Sequence, residues 1–153
     1  MCLEIRNLRD VPHYLDDVVN YLWKEWGEEN NHIFYYRIVK NILKYEKNDI
    51  PQIYVATEGN TLLGTVSLLR SDLKSRQDLF PWFACLYVIE EYREKGIGKI
   101  LESHAMQSSK NMGYNKIYLI TDLIDYYEKM EWQFIGEEPT IQGSMKKVYE
   151  KNL

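Results

Sequence analysis

The segment from Pro81 to Met112 constrains the fold most, because it sets an apolar run, a glycine-punctuated turn and an amphipathic stretch end to end. Trp82 to Ile89 is almost unbroken in apolar and aromatic residues and has strand length. This is the pattern of an interior strand covered on both faces, although the run alone would also fit a buried helix. The residues that follow decide for the strand. Ile97, Ile100, Leu101 and Ala105 recur at helical spacing, while Glu102, Gln107 and Lys110 fall on other faces. The spacing predicts a helix from about Gly96 to Asn111 or Met112, stopped by Gly113.

A strand feeding a helix through Arg93-Glu94-Lys95-Gly96-Ile97-Gly98 has a chemical consequence. A helix N-terminus presents unpaired N–H groups and the positive end of its dipole, and glycines let a ligand approach the backbone. Arg93, Lys95 and Lys99 add positive charge. Two readings stand side by side: the glycines simply permit a tight turn, or the turn holds an anion such as a phosphate. Neither G-x-x-x-x-G-K-[ST] nor G-x-G-x-x-G is present, since Leu101 occupies the third glycine position, so a P-loop and a dinucleotide fingerprint are excluded.

What fits is R-x-x-G-x-G after an apolar strand, and on these residues the chain resembles the GNAT superfamily of N-acetyltransferases. The resemblance extends to Ile53–Leu68, similar to the family's second and third strands, and to Asp125-Tyr-Tyr-Glu-Lys-Met-Glu-Trp-Gln-Phe134, similar to a later segment. It implies an α/β fold with a central mixed sheet of six or seven strands flanked by helices and a V-shaped splay between strands four and five. It also implies acetyl-coenzyme A as acetyl donor, with pyrophosphate on Arg93, Glu94, Lys95, Gly96, Ile97, Gly98 and Lys99. The pantetheine arm would lie along Leu86, Tyr87 and Val88.

Composition agrees with a globular domain. The 153 residues are 45% hydrophobic and 27% charged, which suits one domain spanning 1–153. No apolar run reaches the roughly 20 residues of a membrane span, and Met-Cys-Leu-Glu-Ile-Arg lacks the build of a signal peptide. Cys2 and Cys85 show no disulfide or metal spacing, which suits a reduced cytoplasm. A net charge of −4 argues against a nucleic-acid partner and tolerates a cationic amine. Thirteen tyrosines and four tryptophans serve either a core or an aromatic-walled pocket.

Along the chain, residues 2–8 alternate as a first strand, Asp10 is a candidate helix cap, and Pro12 belongs to that helix's first turn. Val11, Leu15, Val18, Val19, Leu22, Trp23 and Trp26 form an apolar stripe ended by Gly27. A second helix carries Tyr35, Ile38, Val39 and Ile42. Residues 52–57 and 61–69 read as a hairpin through Glu58-Gly59-Asn60, and 70–78 as a mobile polar loop able to help select substrate. Strand 114–121 completes a βαβ unit, 123–131 reads as a short helix, and 132–137 with 144–150 as a last hairpin.

The resemblance assigns further roles. In the family, the first two helices and their loop border the acceptor, which makes Trp23, Trp26, Glu28 and Glu29 candidates for binding an amine. Packing tryptophans and a solvated acidic loop are the alternative. Val88 N–H would polarise the thioester carbonyl, and Tyr127 would protonate the departing thiolate. The strand glutamate that several members use as base is missing between Trp82 and Ile89. Asp122 is one substitute; water-linked Glu28 or Glu29, or an amine already neutral, are others. Glu131 replaces the family's usual glycine. Cys85, His13, His32 and His104 suggest neither an acyl carrier nor a metal site, so no metal is expected.

The expected activity is direct transfer of acetyl to a primary amine of a small molecule or peptide, in a ternary complex. The alternative is a non-catalytic coenzyme A-binding sensor or interaction module of the same fold. Family members often dimerise, so a homodimer is among the assemblies implied.

Overall fold

The computed structural model describes residues 2–46 and 48–153. Seven strands form one sheet: β1 (Leu3–Asn7), β2 (Gln52–Glu58), β3 (Thr61–Leu69), β4 (Trp82–Val88), β5 (Lys116–Thr121), β6 (Gln133–Pro139) and β7 (Met145–Asn152). Their order is β1-β2-β3-β4-β5-β7-β6, with β4 and β5 the parallel pair and every other neighbour antiparallel. The helices are α1 (Leu15–Trp26), α2 (His32–Ile42) and α3 (Ile97–Asn111).

Strand alternation sorts the core onto two faces. Tyr54, Leu63 and Phe83 join Leu101, Ala105, Trp132 and Tyr149 beneath α3. Ile53, Val55 and Leu62 join Val18, Val19, Leu22, Val39 and Ile42 beneath α1 and α2. The sheet is therefore covered on both sides, with α3 opposite the helical pair.

Several local expectations are corrected. Asp10 does not cap α1: it lies in a 3-10 turn at Leu8–Asp10, Pro12–Tyr14 forms a second such turn, and the helix starts at Leu15 after Tyr14. The break falls at Val11, whose φ of −133° and ψ of 58° are not helical. The helix read at 123–131 is reduced to a 3-10 turn at Glu128–Met130. Left-handed residues bracket it, Asp125 at φ 59° and Glu131 at φ 68°, and Leu123 and Ile124 are exposed, so there is no apolar stripe to bury. Glu131 thus adopts the conformation for which glycine is the easier residue.

The polar loop after β3 is tied down. Leu73 and Leu79 are buried with Trp82 and Val148. Ser75 Oγ donates to the Pro139 carbonyl at 2.7 Å, and Arg76 bonds both Asp78 and Glu138.

β4 changes character along its length. Trp82, Phe83 and Ala84 are buried, while Cys85 to Val88 are partly open. Opposite Thr65–Ser67 the register slips, and Cys85 takes φ 54°, so β4 carries a bulge there. β4 pairs with β5 at Trp82 opposite Tyr118, and beyond that point the two parallel strands diverge.

Candidate acetyl-donor and acceptor site

The glycine turn is built as an open cradle. Gly96 precedes α3 with φ 83°, and a Cβ placed on it would meet nothing within 4 Å. Ile100 N–H returns to the Gly96 carbonyl at 3.1 Å, whereas the N–H groups of Ile97, Gly98 and Lys99 take part in no backbone bond of the described residues. Three donors thus face outward at the positive end of a fifteen-residue helix. A Cβ at Gly98 would lie 3.7 Å from Leu86 and 3.9 Å from Val88, so the start of α3 sits directly over the open half of β4.

That half of β4 has backbone groups to spare. Ile89 N–H donates to the Leu63 carbonyl at 2.9 Å, and by alternation the N–H groups of Leu86 and Val88 point the other way, toward diverging β5. Gly64 sets the separation from β3, since a Cβ there would fall 2.7 Å from the Tyr87 carbonyl oxygen. Arg93 folds back on the strand: its Nε donates to the Val88 carbonyl at 2.8 Å and its guanidinium lies 5.4 Å from the Tyr87 ring. Lys95 stands over Tyr92 at 4.9 Å, and Glu94 takes φ 62° within the turn.

Tyr127 sits at the head of the 3-10 turn, partly buried, with its ring 6.0 Å from Trp132 and 6.3 Å from Tyr149. Burial pushes its phenol well above the ordinary range, and Tyr126 and Glu102 add to the shift. Trp132 is held in turn by a residue that the sequence places on a polar face. Glu102 is 4% exposed and accepts from Trp132 Nε1 at 3.0 Å and Lys151 Nζ at 3.2 Å. Trp132 N–H also donates to the Tyr127 carbonyl at 3.2 Å. A cleft of about 490 Å³ opens between α3, this turn and the end of β7, sharing Lys99 with the glycine turn.

The other candidates are dispersed. Asp122, exposed at the end of β5, is paired with Lys146. Trp23 Nε1 donates to the Glu28 carbonyl at 2.7 Å and its ring stands on His32, so it fastens the α1–α2 loop. Glu28 and Glu29 are exposed, as is Trp26. His104 packs on Tyr54, and its pKa is lowered by burial. Cys85 is a free thiol whose pKa burial lifts to about 12, with Asp72 adding to the rise; this leaves it a poor nucleophile at neutral pH. Asp72, which the sequence did not distinguish from its polar neighbours, is half-buried. No group of three or more potential metal ligands occurs among the described residues, and no helix there is long and apolar enough to cross a membrane.

The sequence model described as the acetyltransferase (GNAT) family matches residues 15–132. N-alpha-acetyltransferase 30 of Schizosaccharomyces pombe is 25% identical over 129 residues, covering 78% of this chain and 80% of that protein. Solved structures share the fold. An aminoglycoside 6'-N-acetyltransferase complexed with coenzyme A superposes with a TM-score of 0.75 at 18% identity, covering 99% of this chain and 97% of the other. A GNAT-family acetyltransferase from Staphylococcus aureus Mu50 gives 0.72 at 20%, covering 99% of both. With the family pattern matching most of the chain and the splayed sheet matching the neighbours throughout, this protein belongs to the GNAT family of acetyltransferases.

Proposed function

We propose that the chain, acting as one domain, transfers acetyl from acetyl-coenzyme A directly to a primary amine of a small molecule or peptide. The observation that carries this reading is the pairing of three outward N–H groups at the start of α3 with the open edge of β4 beneath them. The residues fit the donor. Ile97, Gly98 and Lys99 would hold the pyrophosphate, with Arg93, Glu94, Lys95 and Gly96 shaping the turn. Leu86, Tyr87 and Val88 would hold the pantetheine arm as an added strand.

Bound there, acetyl-coenzyme A supplies an activated thioester. Val88 N–H is the donor for its carbonyl oxygen, and Tyr127 is the proton donor for sulfur. The raised pKa of Tyr127 keeps it protonated at neutral pH until negative charge develops beside it. Trp23, Trp26, Glu28 and Glu29 are in a looser position as acceptor contacts, since Trp23 already serves the loop. The relatives' names, an N-alpha-acetyltransferase and an aminoglycoside acetyltransferase, support peptide N-termini and polycationic amines as first acceptors to screen. The absence of a carboxylate within β4 favours one second reading, a coenzyme A-binding sensor without turnover.

Thermal stability with and without acetyl-coenzyme A tests the donor site, alongside Gly96→Glu. Ligand at 100 times its Kd should add about 2.7 kcal/mol, a Tm rise of roughly 5–10 °C. The rise should vanish in the variant. No rise in the parent overturns the donor assignment, and a rise without acetylation of any amine favours the sensor.

A further inference from the structure

A primary alkylamine is an ammonium ion at neutral pH, with a pKa near that of lysine, about 10.4, so transfer to it requires a proton acceptor. β4 offers none between Trp82 and Val88, but the loop after β3 brings a carboxylate to the same strand. Leu73 is 3% exposed and packs with Trp82, Leu79 and Val148, which presses the start of the loop against the head of β4. Asp72 immediately precedes it. From there its charge reaches Cys85, the residue at the β4 bulge, whose side chain belongs to the α1/α2 face.

The surroundings leave this carboxylate uncommitted. On β4 its charge acts on the Cys85 thiol, and Cys85 and Glu28 act in turn on the Tyr35 phenol of α2. On its own loop, Arg70 is directed to Asp49 at 3.9 Å and to the Phe80 ring, Arg76 is paired with Asp78 and Glu138, and Lys74 is exposed. No hydrogen bond or ion pair engages Asp72 among the described residues. Desolvation unopposed by a cation lifts its pKa to about 7, where a carboxylate can both bind a proton and release it.

We propose that Asp72 holds the acceptor's ammonium group on the α1/α2 side of the β4 bulge and takes its proton, an inference that rests on the acetyltransferase reading above. The acceptor class is then a cationic primary amine. R–NH3+ gives one proton to the Asp72 carboxylate, and the freed nitrogen pair forms the C–N bond to the acetyl carbon. The C–S bond breaks, sulfur takes the Tyr127 hydroxyl proton, and the nitrogen's second proton restores Tyr127 through solvent. Asp72 then releases its proton to water, so the sum is amide, thiol and one H+.

The experiment compares the parent with Asp72→Asn, using acetyl-coenzyme A and the best acceptor among kanamycin, tyramine and a hexapeptide with a free N-terminus. In the parent, kcat/KM should rise with pH through about 7 and level off. In Asp72→Asn it should be lower by roughly 10²–10⁴-fold at pH 7 and climb about tenfold per pH unit toward the amine's own pKa, because only neutral amine then reacts. Acetyl-coenzyme A affinity should be unchanged. A uniform loss at every pH, or retention within threefold, overturns the role of Asp72. A parent that binds acetyl-coenzyme A but acetylates none of the three amines overturns the acetyltransferase reading, and this inference with it.

Discussion

The two faces of the sheet are closed in different ways. Under α3, the core is sealed by buried polar bonds: Glu102 accepts from Trp132 and Lys151, and the Lys151 ammonium also lies 5.8 Å from the Trp132 ring. Under α1 and α2 the packed cluster is apolar around Thr65, whose buried hydroxyl donates to the Tyr54 carbonyl at 3.0 Å, and its rim is left open. Ile33 is 57% and Phe34 55% exposed beside a groove bordered by Asn30, Arg37 and Asn41. The difference tracks the two substrates of the proposed reaction. A donor of fixed shape can be met by backbone on a rigid face, whereas an acceptor is selected by side chains on a face with fewer constraints.

The largest effect that would break this comparison is at Glu102. Glu102→Ala removes the acceptor shared by Trp132 and Lys151 and leaves a largely buried ammonium with the Met130 carbonyl but no counter-charge, for a cost of about 3–5 kcal/mol in urea denaturation. A loss below about 1 kcal/mol would show that apolar packing alone seals the α3 face. The next effect is at Gly64, where Ala would drive a Cβ to 2.7 Å from the Tyr87 oxygen and 3.1 Å from Leu101. Gly64→Ala should cost about 1–3 kcal/mol and weaken acetyl-coenzyme A binding together, because β3 fixes the open half of β4. Binding that stays intact despite the lost stability would detach that edge from the donor site.

The turn into α3 was legible in the sequence because its essentials are local. Arg93-x-x-Gly96-x-Gly98 after an apolar strand specifies a turn, a helix start and outward N–H groups within six residues. The β2–β3 hairpin was equally local. Glu102 was misread because helical spacing assigns a face but cannot show that Trp132 and Lys151, 30 and 49 positions away, fold over it. The segment 123–131 contains enough apolar residues for a helix, yet left-handed Asp125 and Glu131 stop it at both ends. Asp72 looked like any acidic loop residue, since its burial comes from Leu73 docking beside Trp82.

A smaller effect separates those two carboxylates, and its sign follows from linkage. Burial raises the pKa of Asp72 to about 7, above the ordinary 3.8, so the folded chain binds this proton more tightly than the unfolded chain. The stability linked to that proton is fully present below about pH 4 and lost as pH rises through 7. Asp72→Asn should therefore melt at or above the parent's temperature at pH 8, by roughly 2–4 °C for each kcal/mol relieved, with the gain shrinking as pH falls to 4. Destabilisation at pH 8 would mean that the carboxylate has a partner that offsets its burial. Glu102, with both of its partners in place, should show no such gain on removal.

The smallest expected effect lies at the open rim, and it is informative because stability should hardly respond. Phe34 makes an edge contact with Tyr35 at 5.2 Å and is otherwise largely in water. Phe34→Ser should then change unfolding free energy by no more than about 0.5 kcal/mol. If the rim selects the acceptor, the same substitution changes KM for bulky amines while leaving that for acetyl-coenzyme A unchanged, and small amines respond least because they do not reach the groove. Equal shifts for large and small amines would instead assign selection to the half-buried ground around Tyr35, Cys85 and Asp72. The open rim would then be a surface that the chemistry does not use.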